Sequence, residues 1–464
     1  MGQIVIDSLQ KQPVDASDHV QLIPPGAIKV ADKTGADLFA LRFNSDDLVG
    51  TLNGAISSQG TGHYTSGILF QDNSDEYLNG SLMFSSGKMA VSSTGAEYAN
   101  GIEGNELGIS GAVGSPLSGS LKVSAKSATK ADATGIYADA RFESDLALKI
   151  DVKADASKGT NAKATGLNGD ITTLAISDKF KLNIQAKSGT GDAIAMGINE
   201  SLVGTGQLSG TFNVKSDASK GDDASAYGVL GDTSVTDISD KFKLSVQTKS
   251  GVGDAVAQGF VGALSGNGQL SGSLNIKADA SKGEHAEVCG IVGTTAVTDI
   301  SDKFKLTIQA KAGANEADAY AFNALTATGQ LGGAVNVKAD ASKGTRAKAV
   351  GLHGKITAEA VSDKFKLNVQ AKAGSADATA IGFEGSLSEN GQLGGSINLS
   401  ATNSKSSTGM VLAIAFYSNV TTASISDKFK LVSQAKSVSA KAGACGFFDK
   451  LEVSGIIGGT ITAS

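Results

Sequence analysis

The sequence predicts an all-β chain: a right-handed parallel β-helix (β-solenoid) of about thirteen coils of about 31 residues, in a 62-residue super-period. Three observations carry this. The first is composition. The 464 residues include 59 Gly, 17 Phe and 7 Tyr, with no Trp. Side chains this small cannot fill several thick cores. Yet the apolar fraction is 41% and there are only 4 Pro, which excludes a disordered or collagen-like chain. The second is a repeated string, SDKFKL, beginning at Ser177, Ser239, Ser301, Ser362 and Ser426. The third is a motif, A-x-A-x-G followed by an apolar residue. Its last residue falls at Ile136, Leu167, Ile198, Val229, Phe260, Ile291, Phe322, Leu352 and Phe383, with weaker copies at Ile68, Ile102, Phe416 and Phe447. The spacing of the strong copies is the coil length, and two alternating coil types give the longer period.

The first strand of each coil is read from KFKLNIQAK. Phe180, Leu182, Ile184 and Ala186 alternate with Lys181, Asn183, Gln185 and Lys187, the period of a half-buried strand. Gly is too frequent for helical repeats. One coil divides into strands at about 305–311, 317–322 and 325–330. The hexapeptide rule of left-handed solenoids is missing, hence the right-handed expectation. Along the stack, Phe180, Phe242, Phe304, Phe365 and Phe429 alternate with Gly210, Gly272, Gly333 and Gly395, as if each Gly left room for a neighbouring ring. An outward row runs Lys126, Asp155, Lys187, Asp217, Lys249, Asp279, Lys311, Asp340, Lys372, Thr402 and Lys436. Opposite charges on adjacent strands gain roughly 0.2–1 kcal/mol per pair and oppose a slip of register.

In the second strand, Ala193, Ala195, Ala224, Ala226, Ala255, Ala257, Ala378 and Ala380 should face inward, with the following Gly turning a corner. The residues before that Gly, such as Met196, Cys289, Tyr320, Val350 and Ile381, should form a partly apolar outer stripe. It reads either as scattered surface or as a lateral contact surface. Residues 1–50 do not fit the repeat and hold Pro13, Pro24 and Pro25. They are expected to be an N-terminal cap or an assembly arm, with the solenoid over 51–464. The closing LEVSGIIGGTITAS reads as a last coil without a cap, so end-to-end association is expected.

Net charge is −6, from 40 basic and 46 acidic residues, and no basic block appears, which argues against nucleic acid. No apolar run reaches a membrane span, and the start has no signal-peptide pattern. Two cysteines cannot form a disulfide framework. Cys289 and Cys445 occupy equivalent positions five coils apart, beyond disulfide reach.

The sequence carries no recognisable catalytic pattern. His19, His63, His285 and His353 lie far apart without metal spacing. No Ser/His/Asp set, P-loop or CxxC occurs. Asp72, Asp75 and Glu76 suit either a cation or a solvated loop. No catalytic, cofactor-binding or metal residue is assigned, and no cofactor is expected.

The segments AIAMGI (193–198), ASAYGV (224–229) and KAVGL (348–352) resemble repeats of bacterial autotransporter passengers and large β-solenoid surface proteins. The resemblance covers about 50–460. It implies a right-handed β-helix, export, and a role as adhesin, stalk or coat. The expectation is a non-enzymatic structural protein, extracellular or on the cell surface, whose partners are other copies of itself or a cell-surface polysaccharide. The alternative is a phage or bacterial β-helix that binds or cleaves polysaccharide. Regular rows favour the first; an irregular cluster of carboxylates and aromatics breaking the repeat would favour the second.

Overall fold

The computed structural model describes residues 4–6, 20–22, 28–31, 37–43, 48–52, 54–72, 74–84, 88–404, 409–438 and 441–464. Among them every regular element is a β-strand. Parallel strands stack as a β-solenoid of about thirteen turns spaced about 31 residues apart. Two compact units divide the chain: Met1–Asp217 with Val229–Gly231, and Ala218–Gly228 with Asp232–Ser464.

In the unit that begins the chain, the first strands of successive coils include Leu117–Lys126, Leu146–Ala156, Lys181–Ser188 and Thr211–Ala218. Their register stacks Leu121 on Ile150, Ile150 on Leu182, and Leu182 on Phe212. Alternation does the sorting: Leu182, Ile184 and Ala186 are buried while Lys181 and Lys187 are exposed. The described segments before residue 50 pair in the same parallel sense. Ile4–Ile6 lies against residues 41–43, and Ile28–Ala31 against Ile56–Gln59. His19, Pro13, Pro24 and Pro25 lie outside the described residues.

The second unit repeats one coil anatomy. In the coil around residue 310, the first strand is Lys305–Ala312, the second is Glu316–Ala327, and the third is the two-residue Gln330–Leu331. The expected third strand is therefore split. Residues 325–327 continue the second strand past a register shift, and residues 330–331 belong to a separate short sheet. Ala255, Ala257, Ala378 and Ala380 are fully buried, as their alternation requires. With Leu, Ile and Phe rows they make a thin core, where each fully buried large side chain contributes about 1.5–3 kcal/mol.

Three sequence expectations acquire different physical causes. Gly272 and Gly333 have φ of +86° and +82°, so the backbone itself demands glycine there. A Cβ on Gly333 would lie 2.6 Å from the Phe304 carbonyl oxygen. Three of the Phe rings find partners in their own coil, Phe242 with Phe260, Phe304 with Phe322 and Phe365 with Phe383, at 6.2, 6.0 and 6.4 Å between centroids, whereas Phe180 packs on Phe212 of the next coil at 5.4 Å.

The middle-motif Gly does not turn a corner. Gly259 and Gly290 lie within strands, where a Cβ would meet the next coil's carbonyl oxygen at 2.4 Å. The residues before it do not form an outer apolar stripe throughout, since Met196, Val350 and Ile381 are buried.

The charge row is in the expected register, Lys249 beside Asp279, Asp279 beside Lys311, and Lys311 beside Asp340. Its aspartates also serve the turn that follows them. Asp279 and Asp340 accept hydrogen bonds from the Ser281 and Ser342 backbone N–H at 3.0 and 3.1 Å. Such Asx turns explain why Asp, rather than Glu, stands in the row. Burial pushes the Asp340 carboxyl up, but the Ser342 hydrogen bonds and the Lys338 charge outweigh it and hold the group below its ordinary range.

A further ladder runs between every second coil. Asp240 meets Lys303 at 3.0 Å, and Asp302 meets Lys364 at 3.1 Å and the Ser362 hydroxyl at 3.0 Å. Asp363 meets Lys428 at 3.3 Å and the Ser426 hydroxyl at 2.7 Å. The Asp302 and Asp363 carboxylates reach across an intervening coil whose backbone there is Gly332 or Gly394. A Cβ at those glycines would sit 2.6 and 2.7 Å from the Asp302 and Asp363 oxygens. The Ser426 hydroxyl holds the Asp363 carboxyl below its ordinary range.

Candidate functional site

Three places depart from the regular rows. The largest lies in the second unit, on the outward side of the second strands Ala286–Val297, Glu316–Ala327 and Arg346–Leu352. Register puts Glu287, Asp318 and Lys348 side by side, and likewise Cys289, Tyr320 and Val350. Asp318 is only 8% exposed, an uncommon fate for a carboxylate. Arg346 Nη2 donates to Glu316 at 2.5 Å and to Asp318 at 3.1 Å. His285 Nε2 lies 3.6 Å from an Asp318 oxygen, beyond a hydrogen bond, and that neighbouring carboxylate raises the His285 pKa above its usual value. One strand further, Lys348 Nζ donates to Glu384 at 2.9 Å and His353 Nδ1 contacts the other Glu384 oxygen at 2.6 Å. Lys348 also stands 5.5 Å above the Tyr320 ring.

His285, Glu316 and Asp318 offer ligand atoms close enough for one ion. The donor set nevertheless already holds its cation, the Arg346 guanidinium. Cys289 is half-buried on the same face of the strand as Glu287. Burial, with Glu287 beside it, pushes the thiol far above neutrality and keeps it protonated. Cys289 and Cys445 are free. The register places them five strands apart, through Tyr320, Val350, Ile381 and Ile414.

In the first unit, Glu103 is fully buried on Tyr98–Gly111. The Tyr64 and Tyr77 hydroxyls both donate to its Oε2, the latter at 3.2 Å, while Oε1 has no partner. Burial raises the Glu103 carboxyl, only partly offset by these donors. The segment after Tyr64–Phe70 leaves the repeat here: Gln71 bridges Tyr77 in antiparallel sense. Inside that excursion Asp72 accepts the Ser74 and Glu76 N–H groups at 2.8 and 2.9 Å, so it closes its own loop. His63 pairs with Glu97 at 2.5 Å and packs edge-on to Tyr98.

The third departure is Glu389, at the inward-facing end of Leu387–Glu389, where the neighbouring coil carries Ala358. It is 3% exposed and neither carboxylate oxygen has a hydrogen-bond partner. Burial pushes its pKa up to about 7.

None of these groups was singled out from the sequence as functional. His285 and His353 lie far apart in the sequence, and the carboxylates join them only because 31-residue steps bring them side by side. Among the described residues, no helix is long and apolar enough to cross a membrane. The architecture defines a β-solenoid. No family model matches the chain, and neither a curated protein nor a solved structure matches it.

Proposed function

We propose that the chain is a non-catalytic structural protein of the bacterial surface or extracellular matrix, similar in kind to autotransporter passengers, serving as adhesin, stalk or filament subunit. The observation that carries this reading is where the polar side chains are spent. Asp240, Asp302 and Asp363 tie alternate coils together. Asn368 donates to Asn336 at 2.8 Å and Asn398 to Asn368 at 3.1 Å. At the corners, Asp223 and Asp254 accept backbone N–H groups of the next coil. These repeated contacts stabilise the stack and converge on no reacting atom.

End-to-end association is part of the proposal. Thr460–Ala463 pairs with Lys430–Lys436, and Ile456, Ile457 and Ile461 around it are exposed. Large apolar side chains exposed together are a surface for a second chain to cover. Sedimentation and electron microscopy of the purified chain test this. Filaments or concentration-dependent oligomers are expected, lost on deleting residues 1–50 or placing Pro and Lys within 460–462. A monomer at high concentration overturns the filament reading.

A second reading, polysaccharide binding or cleavage, is favoured by the cluster around Asp318 and Glu316, which breaks the repeat. Release of reducing ends from polysaccharide, abolished by Asp318→Asn with Glu316→Gln, would establish it. No release by wild type removes cleavage.

A further inference from the structure

Lysines that are scattered in the sequence converge on one sheet of the second unit. The outward positions of its first strands, from Lys243–Ser250 to Lys430–Lys436, hold ten Lys and two Asp, whereas the whole chain carries a net −6. Two columns carry a Lys in every second coil, one interleaved with Ser273, Ala334 and Ser396 and the other with Asp279, Asp340 and Thr402. Each KFKL strand opens on a Lys and places another six residues on, as in Lys305 and Lys311, both exposed. Among the described residues, the ion pair closed on this face is Lys338–Asp340 at 3.5 Å. Against the ten lysines the face sets only Asp279 and Asp340, which leaves it eight positive charges in excess.

Between the lysine columns run amides: Asn336, Asn368 and Asn398 in one row, Gln309 and Gln370 in another. The two lysines of one strand stand about 20 Å apart, and each column repeats every second coil, about 9.6 Å. The result is a flat grid of ammonium groups flanking hydrogen-bonding amides.

We propose that this face binds a linear acidic polysaccharide lying along the strand stack. The ammonium columns match its carboxylates, since a polymer with one acid group on every second sugar repeats its charge over a comparable length. The amides match sugar hydroxyls. Other polyanions fit less well. These outward positions carry no aromatic ring, so there is no platform for stacking unpaired bases. Their one large apolar residue, Val432, is only partly exposed, so little can insert into a lipid surface. The inference stands apart from the scaffold reading: a protein that assembles but does not bind leaves the scaffold in place and removes this proposal.

The test uses the full chain and hyaluronan, which carries one carboxylate per disaccharide, with neutral dextran as control. Binding by calorimetry or surface plasmon resonance is expected for hyaluronan and not for dextran, weakening as salt rises. Lys305→Gln, Lys366→Gln and Lys430→Gln together should weaken it by about tenfold or more, because a multiply charged ligand sums its contacts. The same charge removed elsewhere, Lys355→Gln, Lys441→Gln and Lys450→Gln, should change it by less than about twofold. Melting curves of both triple variants confirm that they fold. Equal losses from the two sets, no hyaluronan binding at low salt, or tighter binding to oligo-dT or phosphatidylglycerol vesicles would overturn the proposal.

Discussion

Gly333 and Glu389 occupy core-lining positions for opposite reasons, one forced by backbone geometry and the other in spite of its charge. At Gly333 the left-handed φ costs a non-glycine residue roughly 1–2 kcal/mol before any clash is counted. Gly333→Ala should therefore lower stability by about 2 kcal/mol or more in denaturant titrations. Asn336→Ala, on the exposed face of the same strand, should cost less than about 1 kcal/mol. Equal effects would show that the turn relaxes freely. The sequence pattern predicts the damage at Gly333 but assigns it to ring packing, because φ leaves no trace in a composition rule. Glu389 makes stability depend on pH. Its pKa is 4.5 ordinarily and about 7 when folded, so the folded chain holds the proton more tightly between those values. Stability is full below about pH 4.5 and falls as pH rises through about 7, by about 3 kcal/mol if the whole shift is realised. Glu389→Gln should flatten that decline, giving a higher melting temperature than wild type at pH 8 and little difference at pH 4. An unchanged pH profile would show that the carboxylate is solvated.

Between elements, the two-coil ladder makes the chain more than a pile of equal strands. Asp302 contacts Ser362 and Lys364 at once. The exposed ion pair is worth about 0.2–1 kcal/mol and the hydroxyl about 1 kcal/mol more. A double-mutant cycle with Asp302→Ala and Ser362→Ala should return a coupling energy of about 0.5–1 kcal/mol. Additive losses would mean the contact contributes no more than turn geometry. Strand positions, inward alanines and coil length were legible from alternation and period alone. The ladder was not, although SDK repeats conspicuously. Neighbour-to-neighbour reasoning pairs a residue with the one about 31 positions away, and these partners stand about 62 away. The polar cluster at Asp318 was hidden similarly. His285, Asp318, Arg346 and Glu384 are unremarkable singly and come together only when four successive coils are laid side by side.

Across the molecule, charge is sorted by face rather than by stretch of sequence. A search for basic blocks fails because each Lys of KFKL is followed by an inward apolar residue. Period-two alternation dilutes the charge along the chain and concentrates it in space. The whole-chain balance of −6 therefore understates the field near the first-strand sheet. Both units also bury an acid, Glu103 and Glu389, and both carboxyls are raised. Thermal melts of the intact chain should accordingly shift downward between pH 5 and pH 8. The same exposed isoleucines that favour association should respond to charge: Ile456→Lys with Ile461→Lys should reduce the sedimenting oligomer. If oligomers persist, that edge is not the contact.

The ladder that skips a coil gives the repeat a parity. Removing a single coil, for instance 31 residues beginning at 301, would set Asp240 opposite the glycine-bearing backbone and leave its carboxylate without the lysine it now meets. Removing two consecutive coils would bring Lys364 into the place of Lys303 and restore the same contact. Such a chain tolerates growth and loss in doublets and penalises odd numbers. In the language of heredity, the copied word is 62 letters long, and a one-coil indel is its frameshift.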